Sequence, residues 1–330
     1  MEVFSIALLV ALTAVLVAEF INGWTDAPNA IATVVSTGVM TPKYAVLMAV
    51  ILNIIGAMAG TAVAATVGKG IVDANVLSLA SITAAMTAII VWGGLAAKIG
   101  MPISKSHALL AGLAGAGLAG GGWQALQWSG WTKVLIGMFC AIPFGFAASI
   151  LLGKFVIRFA GNMKPNKAKL FFDRAQIASA GFMAFNHGLN DGQKFIGVFA
   201  LTMMLGGATD KFEIHTWHIV VCALTMGLGT AAGGWRIIET IGAKMTKLVS
   251  WQGFVAEASA SNTIFVASMF GIPLSTTHTI TSCIVGVGAS RRLADVRWSV
   301  LWRIFQAWVF TFPVCAAIAY VAALIANRLF

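Results

Sequence analysis

Residues 20–29 read FINGWTDAPN, inside an apolar run that extends from residue 4 to residue 38. A carboxylate at Asp26 in such a run is a costly placement that asks for a reason. Gly23 and Pro28 on either side both oppose a continuous helix. The run therefore predicts a broken helix, with backbone carbonyls freed beside Asp26. Residues 185–194 read FNHGLNDGQK, again inside a long apolar run, 175–207. Placed 165 positions apart, Phe20 meets Phe185, Gly23 meets Gly188 and Asp26 meets Asp191, while Lys194 stands where Asn29 would be. A second pair follows in the same order. Residues 100–107 read GMPISKSH and residues 271–278 read GIPLSTTH, so that Gly100, Pro102, Ser104 and His107 meet Gly271, Pro273, Ser275 and His278. Two ordered motif pairs imply an internal repeat.

The rest of the chain says what medium the repeat lives in. Of 330 residues, 59% are hydrophobic and 10% charged, and the mean hydropathy is +0.90. An average soluble domain carries roughly 25% charged residues, so this chain cannot coat a soluble fold. Apolar runs near 4–38, 44–68, 78–97, 101–120, 131–158, 175–207, 215–235, 250–270, 272–289 and 298–327 are each suited to lipid. Only helices satisfy their own backbone over such runs. The expected fold is all-α, a polytopic membrane protein of about 10–12 transmembrane helices in two inverted repeats with broken helices and hairpins. The N-terminal run lacks a basic flank and a small-residue cleavage site, so it reads as a retained first helix. Cys140, Cys222, Cys283 and Cys315 all lie in apolar runs with no metal or disulfide spacing, and no cofactor is expected.

The net charge of +10 does not point to nucleic acid, because the cations fall between apolar runs. Lys154, Arg158, Lys164, Lys167, Lys169 and Arg174 crowd the centre of the chain, which is expected in the cytoplasm. Stepping outward, Lys43, Lys98, Arg236, Lys244, Lys247, Arg291, Arg292 and Arg297 fall on the same side, and both termini fall outside. The expected organisation is a first repeat over 1–160, a basic cytoplasmic linker over 161–174 and a second repeat over 175–330. Each repeat holds an odd number of crossings, about five, so the second enters the membrane from the opposite side.

The motifs divide by chemistry. Asp26 with Asn29, Thr25 and freed carbonyls makes an all-oxygen set for a hard cation, and Asn190 with Asp191 repeats it. Glu19 and Glu257 are further acids inside apolar runs. In the GxPxSx(S/T)H motifs proline ends one helix and serine caps the next. Ser104, Ser106, Ser275, Thr276 and Thr277 then stand at helix starts, where free N–H groups and hydroxyls suit a tetrahedral oxyanion. His107, His187, His278 and Lys194 are candidates for proton relay or anion contact. Lys105 could reach inward or draw an anion in. Buried carboxylates repel an anion unless a cation or proton neutralises them, so coupled transport of cation and anion is expected.

These motifs resemble the PiT family of inorganic phosphate transporters over essentially the whole chain. NGWTDAPNA and FNHGLNDGQK look like its paired Asn-Asp signatures, GMPISKSH and GIPLSTTH like its paired hairpins, and Ala256-Glu257-Ala258 also matches. The likeness is to short bacterial members. It implies a secondary symporter of inorganic phosphate with H⁺ or Na⁺, in some bacteria as a neutral metal phosphate. It implies alternating access at a midplane site in the cell membrane, with the bilayer and phosphate as partners and room for a homodimer. By likeness Asp26, Asn29, Asn190, Asp191 and Glu257 serve the cation, with Asp26 and Asp191 as ligands if it is Na⁺. Ser104, Ser106, Ser275, Thr276 and Thr277 would hold the anion. Na⁺-coupled members carry Glu where this chain has Asn53, which leans the reading towards H⁺. A sulfate/H⁺ symporter on the same scaffold is the nearest rival, and an anion channel a more distant one. No nucleotide-binding loop or nucleophile–base set is visible, so an enzyme is not expected.

Overall fold

The computed structural model describes residues 5–26, 28–245, 248–290 and 296–329. Lys247, Arg291 and Arg292, expected in the cytoplasm, lie outside the described residues. The chain is all-helical, and its only β pairing among these residues is one bridge between Val72 and Leu126. The first half runs α1 (Ile6–Asp26), α2 (Pro28–Ser36), α3 (Pro42–Met58), α4 (Ala62–Gly70), α5 (Leu79–Ile99), α6 (Lys105–Gly121) and α7 (Trp128–Ala160). The second runs α8 (Pro165–His187), a π-helical turn Gly188–Gly192, α9 (Gln193–Leu205), α10 (Thr216–Ala232), α11 (Trp235–Glu239), α12 (Ser250–Met269), α13 (Thr276–Ala289) and α14 (Trp298–Leu329).

Local features recur in both halves. α3 turns into α4 by 67°, and α10 turns into α11 by 67°. Gly100 after α5 and Gly271 after α12 both take left-handed φ, 69° and 64°. Ser104 and Ser275 then cap α6 and α13, each accepting the backbone N–H of the histidine three residues on. Pro143 and Pro313 sit inside α7 and α14. The sequence locates breaks in 4–38 and 175–207 and reads 44–68 and 215–235 as single runs; the sharp bends fall in the latter two. Gly60 and the Gly233-Gly234 pair provide them, Gly233 with φ +63°. Residues 165–205, by contrast, stay helical through the π turn. A π turn widens a helix locally and re-aims its side chains without ending it.

Among the described residues, four stretches are long and apolar enough to cross a bilayer unaided: 6–36, Leu79–Ile99, Trp128–Ala160 and Trp298–Arg328. The two bent pairs raise the number to six. α6 and α13 are shorter and buried on nearly every face. Phe139, Phe144, Leu151 and Phe155 on α7, and Phe305, Phe310 and Val321 on α14, are exposed, as expected of surfaces that meet acyl chains. Lipid is as apolar as these side chains, so small residues make the helix contacts.

The halves are interleaved. α14 covers α6, α7 covers α13, α1 lies on α10, α3 on α8 and α4 on α9. Both hydrophobic cores mix the halves, one joining Leu8, Ile82 and Leu109 to Ile196, the other joining Ile31 to Met183, Ile237 and Ile280. Similar close contacts recur in both halves. A Cβ on Gly56 would run into the Phe185 carbonyl, and one on Gly229 into that of Phe20.

Candidate functional site

The π turn and the start of α9 carry Asp191 and Lys194, and the start of α6 brings Ser106 to them from the other half. The Lys194 ammonium donates to Asp191 Oδ1, to Ser106 Oγ and, at 2.7 Å, to the Leu274 carbonyl. Asp191 Oδ2 accepts from Thr276 Oγ1 at 2.6 Å. His187 places Nε2 3.3 Å from the same oxygen and Nδ1 3.0 Å from Asn53 Oδ1. Asn53 is fixed in turn by its amide, which donates to Thr230 Oγ1 at 3.1 Å.

A matching constellation forms where the end of α1 and the start of α2 meet the starts of α6 and α13. Lys105 Nζ stands 3.6 Å from Asp26 Oδ1. Asn29 Nδ2 donates to Thr277 Oγ1 at 2.8 Å, and Thr277 Oγ1 donates to the Ile103 carbonyl at 3.4 Å. Asn29 Oδ1 is buried with no hydrogen-bond partner. The two constellations converge: Asp26, His187 and Asp191 each offer a ligand atom, and the three atoms lie within 4.8 Å of one another. Asp26, Asn29, Lys105, Ser106, His187, Asp191, Lys194, Thr276 and Thr277 are all buried. In this conformation the centre is closed to solvent.

Glu257 forms a separate site. Thr33 Oγ1, Ser179 Oγ and Gln176 Nε2 all donate to its carboxylate, the last at 3.4 Å. Thr37 orients Gln176 by donating to its Oε1 at 2.9 Å. No lysine, arginine or histidine pairs with Glu257 among the described residues. Glu19 is likewise buried, accepting from Asn22 Nδ2 at 3.0 Å.

Other expected site residues lie apart from these acids. Asn190 turns away and donates to Ser268 Oγ at 2.8 Å and the Ile272 carbonyl at 3.2 Å, bracing the α12–α13 connection. Ser104 and Ser275 spend their oxygens on helix capping. His107 and His278 face one another edge-on, ring centroids 4.5 Å apart, within a cluster that includes Trp308 and Phe312.

Three features were not legible from the sequence. The sequence expects hydroxyls open to an anion, but Ser106, Thr276 and Thr277 are engaged with the aspartates, Asn29 and two carbonyls. It also expects unpaired acids in need of a mobile cation, yet each aspartate already has a lysine. Two carboxylates and two ammonium groups leave the centre formally neutral. The partners of Glu257 carried no signal, because Thr33, Gln176 and Ser179 come from two helices far apart in sequence.

The pattern of the phosphate transporter family matches residues 22–167 and 157–319. A protein of Rhizobium meliloti (strain 1021) named "probable low-affinity inorganic phosphate transporter" is 41% identical over 315 residues, 94% of each chain. One of the same name from Bacillus subtilis (strain 168) is 36% identical over the whole of both chains. A solved structure described as "The sodium-dependent phosphate transporter" superposes with a TM-score of 0.91 at 23% identity, over 99% of this chain and 100% of that one. At that identity the likeness concerns the fold alone.

Proposed function

This chain belongs to the phosphate transporter family, and from that premise we propose that it is a secondary symporter of inorganic phosphate, coupled to H⁺. The observation that carries the reading is the convergence of Asp26 and Asp191, 165 residues apart in sequence, at one buried centre beside two capped helix starts. Helix starts offer N–H groups and a favourable dipole to an anion. The four fixed charges cancel, so phosphate meets no net repulsion.

The hydrogen bonds suggest an order of events. Thr276 donates to Asp191 Oδ2 while that carboxylate is charged. A proton or other cation on the aspartates makes them poorer acceptors and releases hydroxyls for phosphate. Ser106, Thr276 and Thr277 are the contacts assigned to the anion, with Ser104 and Ser275 holding the helix starts beside them. His187 Nδ1 meets Asn53 Oδ1, while Nε2 is buried without a hydrogen-bond partner, 3.3 Å from an Asp191 carboxylate oxygen. An added proton on His187 would be balanced by that carboxylate, which supports H⁺ as the coupling ion. Glu257 has donors but no counter-cation among the described residues, and a buried carboxyl so placed needs a proton or a bound cation. It is assigned as a second coupling group.

The paired bends, caps and prolines support two repeats of opposite orientation, which let one centre face each side in turn. The proposal places the 161–174 linker in the cytoplasm and the termini outside the cell membrane. The test is uptake of labelled phosphate into proteoliposomes, with separate pH and Na⁺ gradients and with sulfate as competitor. Uptake driven by the pH gradient and resistant to sulfate is expected. Uptake indifferent to both gradients would remove coupled symport, and stronger uptake of sulfate would move the assignment to the sulfate branch.

A further inference from the structure

The two constellations can be overlaid position by position. Asp26 corresponds to Asp191, Thr277 to Ser106, the Ile103 carbonyl to the Leu274 carbonyl, and Lys105 to Thr276. The contacts correspond too. Lys105 meets Asp26 where Thr276 meets Asp191, and Thr277 meets the Ile103 carbonyl where Ser106, at 3.2 Å, meets that of Leu274. One further matched pair differs in charge: Asn29 in the first constellation, Lys194 in the second.

An ammonium has three N–H donors. Those of Lys194 go to a carboxylate oxygen, a hydroxyl oxygen and a backbone carbonyl oxygen. That mixture of oxygens is the set a bare hard cation takes in place of its hydration shell. Lys194 is 1% exposed, so its charge does not exchange with bulk water in this conformation. The first constellation is looser. Asn29 Oδ1 is buried without a partner, and the Lys105 ammonium approaches Asp26 no closer than 3.6 Å and makes no hydrogen bond among the described residues.

We propose that the Lys194 ammonium is a tethered cation that fills one of two equivalent cation sites. The first site, built from Asp26, Asn29 Oδ1, Thr277 Oγ1 and the Ile103 carbonyl, is then the one that exchanges its cation. The chain would carry one mobile cation fewer per cycle than a relative with a neutral residue at position 194. It would also need no Na⁺ at Asp191. The inference rests on reading this centre as the cation and anion site of a transporter.

Its test measures Na⁺ binding directly, so it does not depend on which anion is carried. The thermal midpoint of the purified full chain is compared in NaCl and in choline chloride at equal ionic strength. Lys194→Asn restores the residue type found at Asn29 and opens the second site. It should gain an extra Na⁺-dependent rise of about 3 °C over wild type when Na⁺ is roughly tenfold above its dissociation constant. Lys194→Gln should gain likewise, Lys194→Arg should not, and adding Asp191→Asn to Lys194→Asn should abolish the gain. Equal Na⁺ shifts in wild type and Lys194→Asn would overturn the proposal, as would a gain that survives Asp191→Asn. If neither amide variant folds, wild type and Asp191→Asn decide. A Na⁺ shift in wild type that Asp191→Asn removes shows the second site taking Na⁺ with Lys194 present, and overturns the proposal; an Na⁺ response the same in both supports it. A failed phosphate-uptake experiment would leave these Na⁺ outcomes standing, and the reverse also holds.

Discussion

Ser104 and Ser106 sit two positions apart in one motif, and the structure gives them different tasks. Ser104 accepts the His107 N–H at 3.1 Å as the cap of α6, whereas Ser106 accepts from Lys194 and faces Asp191 Oδ1 and the Leu274 carbonyl, each at 3.2 Å. Removing a serine cap costs about 1 kcal/mol of stability. Ser104→Ala should therefore lower the thermal midpoint by about 2–4 °C and leave the phosphate concentration for half-maximal uptake within about twofold. Ser106→Ala leaves an ammonium and a carboxylate short of a buried partner, a loss of about 1.5–3 kcal/mol for hydrogen bonds to charged groups. Uptake should fall by roughly tenfold or more. A tenfold loss of phosphate affinity in Ser104→Ala would instead make Ser104 a direct anion contact. The sequence showed that both serines matter, because each has a repeat partner. It could not separate them, since the separation depends on Lys194, which comes from the other half of the chain. Lys194 itself was visible only as a mismatch with Asn29.

At the scale of elements, close helix approach does what apolar burial does in water. α3 meets α8 with Gly56 under the Phe185 carbonyl, and α10 meets α1 with Gly229 under the Phe20 carbonyl. Phe20 and Phe185 were already paired by the sequence repeat, but the glycines opposite them were not. They lie outside the quoted motifs, and a glycine among 35 carries no label saying which helix it will touch. Gly229→Ala should destabilise the chain by about 1–3 kcal/mol through overpacking, seen as a fall of about 5 °C in the thermal midpoint. Gly94→Ala is the control, because a methyl there meets nothing within 4 Å. Equal midpoints for the two variants would mean that backbone contact at Gly229 is not limiting. Helix existence was legible from apolar runs, and the two caps from Pro-x-Ser. The 67° bends were not, because Gly60 and Gly233-Gly234 look like ordinary packing glycines until a chain direction changes there.

At the scale of the molecule, interleaving has a consequence for orientation. α14 covers α6 and α7 covers α13, so each half is completed by a long helix of the other. α7 has 33 residues, about 50 Å at the helical rise, against roughly 30 Å of hydrocarbon. It must tilt or kink, and Pro143 gives it a place to do so. A helix of this length that crosses the bilayer puts its two ends on opposite faces; Gln124 stands before the start of α7 and Asn166 beyond its end, both exposed. In the topology proposed above the basic segment 161–174, and with it Asn166 at the start of α8, lies in the cytoplasm by the positive-inside rule, so Gln124 should face outward. Single-cysteine variants Gln124→Cys and Asn166→Cys, made in a chain with its four native cysteines replaced, test this with a membrane-impermeant thiol reagent. In intact cells Gln124→Cys should react and Asn166→Cys should not; in inside-out vesicles the pattern should reverse. Labelling of both from one side would mean that α7 does not cross. The odd number of crossings per repeat would then fail, and the inverted relation between Asp26 and Asp191 with it.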